Sequence, residues 1–94
     1  MRGSEKQVSW ANEIITRLDG VMDDIIANIP DRYNDQQKAM MTNMIEGMRS
    51  SIHAAEYAGD VIDLFKDVKT PEDLMGMWRT TLPETDGQRK ILGR

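Results

Sequence analysis

The sequence contains no cysteine, which excludes disulfide bonds, thiolate catalysis and cysteine-ligated zinc. It also contains no apolar run that approaches the roughly 20 residues of a membrane-spanning helix. The amino-terminal residues include no apolar segment of the secretory type. We therefore expect a cytoplasmic protein that has no membrane anchor.

Aromatic residues make up only 5% of the chain, and basic residues are fewer than acidic ones. The core must therefore come mainly from aliphatic side chains and from the eight methionines, which fill irregular gaps and also form adaptable binding surfaces. The net charge of −4 argues against general nucleic-acid binding, which usually needs a basic face. An acidic surface instead favours a basic partner.

No pattern predicts a catalytic or cofactor site. The single histidine lies in His53-x-x-Glu56-x-x-x-Asp60, which on a continuous helix would place three metal ligands on one side. Helical metal sites of this kind need paired motifs, so a surface histidine is expected instead. Three carboxylate pairs lie where a solvated helix surface places them: Asp23 with Asp24, Asp60 with Asp63, and Glu72 with Asp73. We predict a protein that is not an enzyme and needs no metal or cofactor.

The first predicted helix spans Ser4–Asn28. Ser4 and Gln7 form the S-x-x-Q capping box, and Pro30 ends the helix because a residue before proline resists the helical conformation. Between these signals, apolar residues recur at spacings of three and four: Ala11, Ile14, Ile15, Leu18, Met22, Ile25, Ile26 and Ile29. This stripe predicts one wall of a hydrophobic core.

The second predicted helix runs from Asp35 to Phe65, with Asn34 or Asp35 as its cap. A break at Gly59 with Asp60 as a new cap is the alternative, but apolar spacing favours continuation. Its apolar positions are Met41, Met44, Ile45, Met48, Ile52, Ala55, Ala58, Val61, Ile62 and Phe65. A short third helix follows over Pro71–Thr81.

Local spacing also predicts contacts of the first two helices. Glu13 and Arg17 have the i,i+4 spacing of an ion pair. Gly20 and Gly47 are expected to let the two helices approach closely.

In the third helix, Thr70 is the expected N-cap and Pro71 takes the first helical position.

The predicted fold is all-α, a small helical bundle in a single domain of residues 1–94. Ser4–Asn28 and Asp35–Phe65 form a long antiparallel hairpin, and the short third helix packs across one end. Residues 1–3 are expected to be a loose N-terminus and residues 4–82 the core. Residues 83–94 are expected to be a polar tail, in which Ile91 and Leu92 could dock.

The predicted binding residues lie on the outer helix faces. Seven carboxylates could form an extended negative face: Asp19, Asp23, Glu46, Glu56, Asp60, Asp63 and Asp67. Such a face attracts basic grooves and steers association. Met44 and Met48 could add adaptable apolar contact. An ordinary solvated face is the alternative interpretation.

The opening Gly3-Ser4-Glu5-Lys6-Gln7, followed by Trp10-Ala11 and Ile14, resembles the G-S-x-K-Q-x-x-W-A-x-x-I opening of small proteins of bacterial and phage mobile elements. A second likeness covers residues 53–63 and Pro71-Glu72-Asp73-Leu74, where an expected aromatic pair is reduced to Tyr57. This resemblance implies a mobile-element context and transfers no catalytic residue. Some small acidic helical proteins from that context inhibit CRISPR effector complexes.

We therefore expect a non-enzymatic inhibitor from a phage or mobile element, specifically an anti-CRISPR protein acting in the cytoplasm of a bacterial host. Its partner would be a basic-grooved host protein such as a CRISPR effector. Two alternatives remain open. One is a nucleic-acid-associated accessory protein that uses the basic termini, although direct contact with nucleic acid is not favoured. The other is a self-assembling helical module, and monomer and homodimer are both compatible with the sequence.

Overall fold

The computed structural model describes all residues from 1 to 94 and confirms an all-α protein. The molecule measures 45 × 23 × 20 Å. No helix combines the length and the apolar character needed to cross a membrane. The five helices are α1 (Glu5–Ala27), α2 (Asp35–His53), α3 (Ala58–Phe65), α4 (Pro71–Thr80) and α5 (Asp86–Leu92).

Three helices begin at capping boxes. Ser4, Asn34 and Thr70 are the N-caps of α1, α2 and α4, and each side chain accepts a hydrogen bond from the backbone N–H three residues later. In each case the side chain of that later residue accepts from the backbone N–H of the cap. Each box satisfies two N–H groups that a helix start leaves unpaired. The predicted starts at Ser4 and Thr70 are confirmed, and Asn34 is the cap of α2.

The short helix α3 lies at the centre of the core. Six of its eight residues are buried: Ala58, Asp60, Val61, Ile62, Leu64 and Phe65. It packs chiefly against α1 and also against α5. Because α3 is apolar on nearly every side, it must be enclosed by other helices.

The predicted continuous helix from Asp35 to Phe65 is wrong. Helix α2 ends at His53, and α3 begins only at Ala58. In the gap, the backbone of Arg2 donates to the carbonyl of Glu56 at 2.7 Å and accepts from the N–H of Ala58 at 2.8 Å. This extended pairing replaces helical hydrogen bonds, and the chain turns so that most of α3 is buried.

The predicted hairpin changes with that break. Helix α1 packs more extensively on α3 than on α2, so a two-helix hairpin is not the centre of the fold. The expected close approach at Gly20 and Gly47 is also wrong. A Cβ added at either glycine would meet no atom within 4 Å.

The N-terminus is not loose, since Arg2 is held by the two backbone hydrogen bonds to the α2–α3 connection.

The prediction that residues 83–94 form a polar tail is wrong for most of that segment. Residues 86–92 form α5, and Gln88, Ile91 and Leu92 are buried. The apolar pair belongs to the core, because α5 packs on both α2 and α3.

Helix α5 is fixed to α3 by one polar contact. The hydroxyl of Thr85, the N-cap of α5, donates to Oδ1 of buried Asp60 at 2.8 Å. A Cβ at Gly87 would collide with the same carboxylate, so the close approach of α5 requires glycine there. The hydrogen bond compensates part of the cost of burying Asp60.

Arg17 caps the other end of α3. Its Nε donates to the carbonyl of Val68 at 3.0 Å, and Nη2 donates to those of Phe65 and Lys66 at 3.3 and 3.1 Å. These carbonyls lie at the last residue of α3 and just after it, where helices leave acceptors unpaired and favour positive charge. The predicted ion pair between Glu13 and Arg17 is absent, because Arg17 is used for this long-range contact.

Replacement of Arg17 by methionine should lower the free energy of unfolding by about 1–3 kcal/mol, because carbonyls at the end of α3 lose a charged donor. Urea denaturation followed by circular dichroism measures the change. Glu13→Gln is the matched control and should leave the value within about 0.5 kcal/mol of the wild type. A larger effect at Glu13 than at Arg17 would contradict this account.

Asp73 stabilises the start of α4 from inside its first turn. Its carboxylate accepts from the backbone N–H groups of Lys69 and Thr70 at 3.1 and 3.2 Å. Hydrogen bonding, first of all from Lys69, lowers the pKa of Asp73 below its ordinary value of 3.8. The charged carboxylate therefore stabilises the fold above its unfolded pKa, and this contribution is lost as the pH falls through the folded pKa.

Asp73→Asn should therefore reduce stability at neutral pH and make the remaining stability less sensitive to acid. The difference between wild type and variant should be constant above about pH 5 and should shrink as the pH falls further. Urea denaturation at a series of pH values measures it. Glu72→Gln, in the same turn but without these hydrogen bonds, is the control. A difference that grows toward acidic pH would disprove the assignment.

Candidate functional site

Three carboxylates from two helices converge on a single arginine. Nη1 of Arg49 lies 3.3 Å from Oδ1 of Asp19, and Nη2 lies 2.6 Å from Oδ1 of Asp23. Nε lies 3.4 Å from Oε2 of Glu46. Nε2 of His53 lies 2.9 Å from Oδ1 of Asp19, on the outer edge of the group. We name these five residues the acidic seam, since they join α1 to α2.

Helical spacing explains how the seam forms. Asp19 and Asp23 are four residues apart on α1, so they lie on the same side one turn apart. Glu46, Arg49 and His53 are three and four residues apart on α2, and they share a side for the same reason. The two rows meet because α1 and α2 are connected by a short segment and lie against each other.

The seam carries an excess of negative charge. Its three carboxylates face one guanidinium, so two negative charges remain uncompensated when His53 is neutral. The hydrogen bond to Asp23 raises the pKa of Arg49, and the charges of Glu46 and Asp19 act in the same direction. The Arg49 side chain is 21% exposed, whereas Asp23 and Glu46 are 70% and 51% exposed. The negative charge is therefore turned outward.

The other predicted acidic residues do not join this group. Glu56 lies 3.7 Å from Arg2, next to the α2–α3 connection. Asp60 is buried and bonded to Thr85, so it is not part of an outer face. Asp63 in α3 and Asp67 just after it are both exposed, and they lie on a different element from the seam.

The two predicted methionines also lie apart from the seam. Met48 is only 3% exposed and belongs to the core, so it cannot contact a partner. Met44 is 48% exposed but is two residues from Glu46, which places it on another side of α2. The sequence prediction therefore joined residues that the fold distributes over several surfaces.

Arg49 is the central residue that the sequence prediction missed. The sequence does contain two matching patterns. Glu46, Arg49 and His53 recur at helical spacing on α2, and Asp19 and Asp23 do so on α1. These patterns predict an ion-pair group only when the relative rotation of the two helices, and so the sides that face each other, is known. Sequence spacing alone does not give this rotation.

The suggested metal arrangement of His53, Glu56 and Asp60 does not form, because the helix that would align them is interrupted. The three side chains instead contact Asp19, Arg2 and Thr85 respectively. No group of three or more histidine, cysteine, aspartate or glutamate side chains is placed to hold a metal ion.

Comparison with protein-family models, with curated proteins and with solved structures gives no match for this chain. The resemblance of the opening residues to small mobile-element proteins therefore stays a prediction. The functional argument rests on the chemistry of the site.

Replacement of Arg49 by methionine should lower the free energy of unfolding by about 1–2 kcal/mol, because three carboxylates then repel one another without a shared cation. Added salt should reduce the loss, since it screens that repulsion. Urea denaturation at low and high salt measures both effects. Lys38→Met is the control, because it removes an isolated surface ion pair, the one between Lys38 and Asp31. It should change the free energy of unfolding by less than about 0.5 kcal/mol. Equal effects of the two substitutions would disprove the central role of Arg49.

Proposed function

We propose that this protein is a non-enzymatic inhibitor from a phage or mobile element that binds a basic groove of a host protein, with a CRISPR effector as the specific target. The acidic seam carries the proposal. Asp23 and Glu46 hold exposed negative charge on the two sides of the α1–α2 interface, since Asp23 accepts a hydrogen bond from Arg49 and Glu46 lies 3.4 Å from Nε of the same arginine. An acidic surface of this kind complements a groove lined by lysine and arginine.

The expected mechanism is occupation of such a groove. Grooves that hold nucleic-acid phosphates attract carboxylates by the same long-range field. Asp19 and Asp23 need less reordering on binding, because hydrogen bonds from Arg49 hold their carboxylates before contact. Inhibition would follow because the groove can no longer hold its nucleic acid.

Direct binding of nucleic acid is less well supported than inhibition. Two of the terminal arginines are engaged within the protein. Arg2 pairs with Glu56, and Arg94 donates to the carbonyls of Thr81 and Trp78. The remaining basic side chains near the carboxyl end, Arg89 and Lys90, are too few for the phosphate contacts that strong binding needs.

The first test is a pull-down of purified CRISPR effectors by the full chain over a series of salt concentrations. Binding should weaken as salt rises, because the contact is electrostatic. The double variant Asp23→Asn/Glu46→Gln should bind at least about tenfold more weakly at low salt. It should also show a smaller salt dependence. Both substitutions keep side-chain size and remove only charge.

Two double variants act as controls for this experiment. Glu13→Gln/Glu84→Gln removes the same amount of charge from exposed positions outside the seam and should bind as the wild type does. Asp63→Asn/Asp67→Asn tests whether the α3 side is used instead. The proposal fails if no effector binds, or if neutralising the seam leaves binding intact.

A further inference from the structure

The outward side of α2 has no charged residue, although charged residues make up 30% of the chain. All six residues that define this uncharged face of α2 are exposed: Gln36, Ala39, Met40, Asn43, Met44 and Gly47. Met40 is 65% exposed, more than Met44. Since a solvent-facing helix side normally carries charged residues, this composition indicates a contact surface.

The charged side chains within α2 lie outside this face, and the first of them, Asp35, is the opening residue of the helix. Lys38 pairs with Asp31 at 3.7 Å, and Glu46, Arg49 and His53 belong to the acidic seam. The uncharged face is therefore a separate surface, and an argument about it does not depend on the proposed inhibitory function. A basic groove, which fits the seam, has no charge complement on the uncharged face.

Residue 47 of this face is a glycine, and no contact within the single chain explains that choice. A Cβ at this position would meet no atom within 4 Å, so the packing of the single chain does not require glycine. Glycine in a helix interior is destabilising relative to alanine. A groove of about 490 Å³ starts at Gly47 and reaches Trp78 and Ile91, so there is room for an incoming side chain.

We propose that a second copy of this chain occupies the uncharged face of α2, bound about a twofold axis. A twofold interface brings the same surface of both copies together. Two copies that each carry a net charge of −4 repel one another where charged surfaces meet. Contact through the uncharged face avoids that repulsion, because the neutral surface of one copy then meets the neutral surface of the other.

The residue spacing fits such a dimer. When two α2 helices pack antiparallel with the axis level with Asn43 and Met44, Met40 and Gly47 lie equally far from the axis on either side. Met40 of each copy then lies opposite Gly47 of the partner subunit. The protruding methionine fills the space that the glycine leaves, and the contact occurs twice. Methionine suits this contact because its flexible side chain adapts to an irregular groove.

Sedimentation equilibrium of the full chain over increasing concentration tests the dimer. The molar mass of the wild type should rise from 10.7 kDa toward twice that value, at concentrations up to about 1 mM, where even weak dimers form. Gly47→Gln should raise the dissociation constant at least about tenfold, because its side chain fills the space needed by Met40. Met40→Lys should do the same, because it places a charge in a neutral interface.

Gly20→Gln is the matched control, since Gly20 is also an exposed helical glycine with open space around its Cβ position. It should dimerise like the wild type. Circular dichroism should show unchanged helix content in all variants, because each substitution lies on the surface of the single chain. If one variant loses its fold, the other still decides the question.

A wild type that stays at 10.7 kDa throughout would overturn the dimer, and so would a dimer whose dissociation constant neither substitution changes. The result is independent of the pull-down, because Asp23 and Glu46 lie outside the uncharged face. A chain that dimerises without binding an effector would therefore disprove only the inhibitory function. A monomer that binds an effector would disprove only the dimer.

Discussion

The fold depends on the burial of α3, a helix of eight residues that is apolar on nearly every side. Burying one large apolar side chain contributes about 1.5–3 kcal/mol, and α3 supplies several of them. A helix this short is not stable alone, so its neighbours must enclose it. Helix α1 covers one side and α5 another, while Arg17 and Thr85 bind its two ends. The order of the remaining helices follows from this requirement.

Helix α1 packs against both α3 and α2, and the two contacts have different roles. The contact with α3 mainly stabilises the fold, and the contact with α2 also arranges charged groups at the surface. Toward α3 it presents aliphatic residues, and the contact is a packed core. Toward α2 it also presents Asp19 and Asp23, which meet Arg49 at the protein surface. Ion pairs at a surface contribute less to stability than apolar burial does. Their value lies in holding exposed carboxylates at fixed positions, which is the property that the proposed binding function requires.

Helix α2 likewise separates two kinds of surface. One side carries the charges of the seam, a second side packs into the core through Ile45, Met48 and Ile52, and the third is uncharged. A helix whose charged residues lie outside its uncharged face can meet a basic partner at the seam and a neutral partner elsewhere. The proposed inhibition and the proposed self-association therefore use different sides of one helix.

The sequence by itself determined the helical class, the starts of α1 and α4, the start of α2 to within one residue, and the apolar stripe of α1. These features depend on residues within three or four positions, where capping and helical spacing act directly. Only the tertiary structure decided the break after His53, the docking of α5, the burial of Asp60 and the grouping of Asp19 with Arg49. Each of these depends on contacts between distant residues, such as Arg17 with Val68, 51 positions along the chain. Local spacing cannot specify which distant group a side chain meets, because that choice follows from how the helices enclose α3.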